Sequence, residues 1–264
     1  MAALAGKKQI SSLPFRRSLA KTEPLKRIQR VYGRRQGKPL TLARASALET
    51  LLPILEIPLS ALPEDGTRDI QDWFQTPVTR AILEIGFGNG EHLIGIIESQ
   101  PEAHVIGVEP FTNGMAAFLK SAQSLPTRDH IRVLMDDAML VVRSLKPNSL
   151  DSIYILNPDP WPKKRHFKRR IVRPETVEEY HRVLKPGGQL ICATDVDELA
   201  EWMCTQIIRY PGFDWTAGCA DDWRKMPENW IRTRYEIKGE KAGRQQTYLI
   251  FKKKDLGSAN IKKG

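Results

Sequence analysis

The 264-residue chain is poor in cysteine, with only Cys192, Cys204 and Cys219, widely and irregularly spaced. It has no CxxC pair and no Cys/His cluster of zinc spacing, which excludes a disulfide scaffold, a zinc module and a dithiol redox centre. Reduced thiols in a cytoplasmic protein without a metal are therefore expected. No apolar run approaches the ~18 residues needed to cross a bilayer, so no membrane partner is expected. No internal repeat is present, which removes solenoids and propellers. Acids are nearly absent from one region: residues 1–44 hold twelve Lys/Arg and a single carboxylate, Glu23.

Hydrophobic residues make up 41% and charged residues 27% of the chain, the composition of a globular protein with one ordinary core. The net charge of +10 lies entirely in the N-terminal stretch, because the remainder is close to balance. A second basic run, 163–173, has seven Lys/Arg and no acid. Such clusters on a neutral body suit contact with a polyanion. Residues 1–44 read as a basic, partly flexible arm, 45–254 as one folded domain, and 255–264 as a flexible tail.

From Arg80 onward, short β-rich runs alternate with helical patterns. Strands are expected at 81–85, 104–108, 131–135, 150–156 and 189–194. Helices are expected at 91–99, 113–125, 175–184 and from 196 to about 209. Two late β-rich stretches, 233–238 and 246–252, suggest a terminal antiparallel hairpin. The alternation predicts an α/β, doubly wound, Rossmann-like fold with a mostly parallel sheet. Ligands bind such sheets in the crevice at the strands' carboxyl edge. The acids Glu84, Glu109, Asp137, Asp159 and Asp195 all fall near predicted strand ends.

Gly86, Gly88 and Gly90 make a glycine-rich turn after the first strand, which lets the backbone approach a nucleotide. A dinucleotide pyrophosphate is poorly served by Glu84 and Glu91 flanking that turn. S-adenosylmethionine carries an ammonium and a sulfonium instead, which carboxylates suit. Glu109 is placed to accept from both ribose hydroxyls, and Asp137 from the adenine amino group.

The string Asn157-Pro158-Asp159-Pro160-Trp161 is the most specific signal. Two prolines fix the backbone around Asp159, and an aromatic and a cationic run follow, the layout of a nucleobase site. Here the sequence resembles the bacterial tRNA (guanine-46-N7)-methyltransferases over roughly residues 28–252. The resemblance rests on LEIGFGNGEHL (83–93), GVEPF (107–111), NPDPWPKKRHFKRRIV (157–172), LKPGG (184–188), ATD (193–195), TRYE (233–236) and the basic stretch 30–48.

The resemblance implies a class I methyltransferase with a seven-stranded sheet, S-adenosylmethionine as cofactor and tRNA as partner. It assigns cofactor contacts to Glu84, Gly86, Gly88, Glu109, Asp137 and Asp159, and catalysis to Asp159. It assigns substrate contacts to Lys163, Asp195, Thr233, Arg234, Tyr235 and Glu236. RNA contacts fall to Arg165, His166, Phe167, Lys168, Arg169 and Arg170. The family pattern has Phe where this chain has Asn157, which gives the loop a likeness to the NPPY/F motif of enzymes that methylate exocyclic amines. Three rival readings follow: an amino-methyltransferase acting on adenine or a protein glutamine, an NAD-dependent oxidoreductase, and a non-catalytic RNA-binding relic. A monomer and a homodimer are equally compatible with the sequence.

Overall fold

The computed structural model describes residues 31–255. The expectations for residues 1–30 and the final nine residues, most of the basic arm and the tail, lie outside the described residues.

The chain enters through an extended segment and forms helix α1 (Leu42–Leu55). Strand β1 (Ala81–Ile85), α2 (Glu91–Ser99), β2 (His104–Val108), α3 (Thr112–Ala122), β3 (Ile131–Leu134), α4 (Ala138–Ser144) and β4 (Leu150–Leu156) follow. After a 3-10 turn at Lys164–Arg169 come α5 (Pro174–Val183), β5 (Leu184–Thr194), α6 (Asp197–Ile208) and β6 (Phe213–Trp215). The described chain ends with α7 (Asp221–Arg224), α8 (Arg234–Lys241) and β7 (Thr247–Lys253).

The strands form one seven-stranded sheet in the order β3-β2-β1-β4-β5-β7-β6. All neighbours from β3 to β5 run parallel, and β7 is antiparallel to both β5 and β6. The central strands are buried along their whole length, as parallel strands covered on both faces must be. One face packs α1, α2 and α3 through Leu51, Leu93, Ile96, Phe118 and Leu119. The other packs α4, α5 and α6 through Val141, Tyr180, Leu199 and Met203. The sequence order reverses between β1 and β4, so the crevice opens at their carboxyl ends.

The antiparallel C-terminal pair exists, but its first strand is Phe213–Trp215, not the expected 233–238. That stretch is helix α8. Thr233 caps it by accepting from Glu236 N at 3.1 Å, so a capping residue followed by Glu at the third helical position outweighs the β-rich composition. Helix α5 ends at Val183, within a residue of the expected end, but β5 begins at Leu184, ahead of the expected 189, through an irregular stretch where Gly187 takes φ +75° and the pairing with β4 shifts register. Three of the described helices carried no expectation, α1 and the short α4 and α7.

Candidate active site

β1 ends at Ile85, and the chain turns sharply through Gly86, Gly88 and Gly90 at φ +74°, +58° and +84°. A Cβ on Gly86 or Gly88 would meet nothing within 4 Å. Glycine is needed there for the left-handed backbone, and the space beside it is open to a ligand. Glu109, just past β2, lies across from this turn. Its Oε2 accepts from Gly88 N at 2.7 Å and its Oε1 from Phe111 N at 2.9 Å. Each oxygen keeps a second lone pair for a hydroxyl donor. Desolvation, helped by the charges of Asp159 and Glu84, pushes the Glu109 carboxyl up to about 7 despite both backbone bonds. Asp137 lines the same cavity while its Oδ1 caps α4, accepting from Met139 N at 2.9 Å.

Two cavities meet along this edge. The first is walled by Ile85, Val108, Glu109, Asp137 and Ala138, with Val31, Tyr32 and Asp159 completing it. The second lies between Glu84, Gly88, Glu91, Thr233, Arg234 and Tyr235. Gly86 and Asn157 border both. Glu84 is buried and already paired, its Oε2 lying 2.9 Å from His92 Nδ1. His92 in turn packs against Tyr154 and Trp230. His92 lies within the stretch 83–93, but nothing in its spacing announced a pairing with Glu84, eight positions back.

The segment before α1 is strapped over the first cavity. Arg35 O accepts from Thr112 N and Oγ1, both at 2.9 Å. Gly37 N donates to Asn113 Oδ1 at 2.7 Å, and Asn113 Nδ2 donates back to Lys38 O at 2.8 Å. A Cβ on Gly33 would lie 3.6 Å from Asp159 Oδ2, so the strap passes directly beside that carboxylate.

The loop after β4 is held in an unusual path, with Asn157 at φ +48° and Trp161 at φ +42°. Asp159 stands at the cavity rim, and desolvation raises its carboxyl above the ordinary range. Trp161 lies edge-on to Tyr32 and His166, and Arg169 stacks over both the Trp161 and Tyr32 rings at 5.0 and 4.9 Å. Lys163, Lys164, Arg165 and Lys168 are exposed.

Two residues expected to face RNA point inward. Arg170 is only 2% exposed; it donates to Pro160 O at 2.9 Å and Glu198 Oε1 at 2.7 Å, and stacks on Phe167 and Trp202. Phe167 packs against Trp202 beneath it. Their partners arrive from α6, so the sequence run alone could not separate them from their exposed neighbours. Arg170 holds the Pro160 carbonyl and thereby the loop that carries Asp159.

Glu236, expected to meet substrate, is buried and satisfied. It accepts from Tyr248 OH at 2.6 Å and Trp230 Nε1 at 3.1 Å. Thr233 and Tyr235 do line the second cavity, and Arg234 lies there 3.1 Å from Glu91. Asp195, at the end of β5, accepts from Arg244 Nε at 2.7 Å and lies 3.4 Å from Tyr235 OH. Arg244 and Gln246 were not anticipated; both sit just before β7, a segment with no motif.

A parallel sheet with one inserted antiparallel strand, and a glycine-turned crevice bordered by carboxylates at its carboxyl edge, define a Rossmann-like S-adenosylmethionine-dependent methyltransferase. A methyltransferase family model matches residues 79–249. The tRNA (guanine-N(7)-)-methyltransferase of Agrobacterium fabrum is 44% identical over 83% of this chain and 93% of its own. That of Rhizobium etli is 45% identical over 84% of this chain and 95% of its own. The chain belongs to this tRNA (guanine-N7)-methyltransferase family. Among solved structures, the 16S rRNA methyltransferase KamB shares the fold with a TM-score of 0.52 and 16% identity, covering 72% of this chain and 98% of its own.

Proposed function

We propose that the chain transfers a methyl group from S-adenosylmethionine to N7 of guanine 46 in the variable loop of tRNA, in the cytoplasm. The observation that carries the reading is the placement of Asp159. It lines the nucleoside-sized cavity beside Glu109, at the head of a loop whose next turn exposes Lys163, Lys164, Arg165 and Lys168.

The residues present fit the cofactor. Gly86 and Gly88 leave an open cradle, and Glu109 offers two acceptors for a ribose diol. Asp137 and the apolar walls Val108 and Ala138 suit an adenine ring, and the Glu84–His92 pair lies toward the cationic end. When bound, S-adenosylmethionine supplies an electrophilic methyl group. The chain's task is then to hold guanine in line with it. N7 carries an in-plane lone pair, so no proton must leave first and no general base is required. Asp159 accepts from the N1–H and amino group of guanine and favours the positive charge that develops on the ring, which is catalysis by positioning and electrostatics. Asp195 and Tyr235 border the same base. The exposed cations of the following turn grip phosphate, adding affinity without base choice.

Unmodified tRNA incubated with labelled S-adenosylmethionine is expected to yield 7-methylguanosine on digestion. Recovery of N6-methyladenosine in its place would overturn the assignment.

A further inference from the structure

The residue that departs most from the family pattern, Asn157, is tied to a partner that no motif announced. Gln246 Nε2 donates to Asn157 Oδ1 at 3.0 Å, and Gln246 is itself buried, 8% exposed. The backbone of Asn157 is fixed too, since its N–H donates to Ala193 O at 2.7 Å and its φ is +48°. Asparagine tolerates that left-handed conformation better than most residues. Its Nδ2 has no hydrogen-bond partner among the described residues, and Asn157 borders both cavities.

The direction of this amide–amide bond follows from accounting. Gln246 Oε1 is buried without a partner. Reversing the glutamine would strand two N–H donors in its place, and buried orphan donors are tolerated less than an under-satisfied carbonyl. The carboxylates of Glu109 and Asp159 along the same crevice also favour the amino side of Asn157 facing the cleft.

We infer that Asn157, locked by Gln246, is the residue that reads O6 of the target guanine and rejects adenine. This rests on the guanine-N7 reading above. With N7 aimed at the methyl group, the neighbouring atom on the same edge of the base is O6, an acceptor; in adenine it is an amino donor. An N–H presented there completes a hydrogen bond with guanine and meets another donor in adenine. In an NPPY-type site the asparagine oxygen would accept from a target amine. Here that oxygen is occupied, so the likeness to that motif is reversed in polarity.

The test pairs protein variants with a single atom of substrate. Transcripts of one tRNA are made with either guanine or 2-aminopurine, which lacks O6, at the target position. Loss of N1–H in the analogue weakens the Asp159 contact equally for every variant, so it cancels in the comparison. Wild type is expected to prefer guanine strongly. In Asn157→Ala that preference should shrink by about tenfold to a hundredfold, the usual value of one base-reading contact. Gln246→Glu cannot donate, so Asn157 turns and presents its oxygen. Turnover of the guanine transcript should then fall about tenfold while the 2-aminopurine transcript is unchanged. Cofactor affinity and melting temperature, measured alongside, report whether either variant fails to fold. A guanine preference in Asn157→Ala equal to wild type overturns the role of Asn157 alone. Absence of 7-methylguanosine from the wild-type reaction overturns the reading beneath it.

Discussion

Glu109 shows what one buried carboxylate can report. Its carboxyl is pushed from 4.5 to about 7, chiefly by desolvation. A ribose diol donates to the ionised form, so cofactor affinity should rise as pH climbs from 6 to 8, by up to about tenfold per unit below that pKa. The folded pKa is the raised one, so the contribution of Glu109 to the stability of the cofactor-free protein should be full below about pH 4.5, be lost as pH rises to about 7, and stay level above. Calorimetric titration of cofactor at pH 6, 7 and 8, beside Glu109→Gln, checks this; a variant that keeps the wild-type pH dependence refutes it. Glu109 and Asp137 were legible in the sequence because strand ends in this fold put side chains into one crevice. Glu236 and Arg170 were not, since the groups that claim them, Tyr248 and Trp202, arrive from distant segments.

The 3-10 turn Lys164–Arg169 and the residue after it present two faces with separate duties. Replacing Arg170 by Ala leaves the Pro160 carbonyl without its charged donor and should cost about 2–3 kcal/mol in urea unfolding. Replacing Lys164, Arg165 and Lys168 together should leave stability within about 0.5 kcal/mol. It should instead weaken tRNA binding and flatten the log K against log salt plot by roughly 0.7–0.9 per lost phosphate contact. Equal slopes in the triple variant and wild type would count against this face as the RNA grip. Composition could not sort these residues, because cationic charge is the same on both faces and only α6 distinguishes them. Helix α8 is the converse case: Thr233 followed by Glu236 is a helix-start signature in plain view, and the β-rich composition of the stretch concealed it.

Taken whole, the layered sheet was readable because parallel strands and their crossover helices leave a simple alternation in sequence. The strap at 31–38 was not, since its hold on α3 consists of main-chain bonds to Thr112 and Asn113 that many residues at Arg35 or Lys38 could also make. A chain starting at residue 39 should keep the sheet. It loses the wall formed by Val31 and Tyr32 and the ring that Arg169 stacks on, so cofactor affinity should fall about tenfold. Fluorescence titration of cofactor against both chains measures this, and equal affinities would show that the strap plays no part in retention.

The position of β7 has a consequence for biosynthesis. It is the final strand of the described chain, yet it lies inside the sheet, between β5 and β6. A chain emerging from the ribosome must therefore wait with the β5 edge unpaired, an aggregation-prone interval. Gln246 stands at the threshold of that strand, so the partner that orients Asn157 is delivered only when translation is almost finished. A nascent or truncated product holding every motif from Gly86 to Tyr235 would carry the acids and the glycines, Asp159 included, but not the partner that sets the polarity of the Asn157 amide.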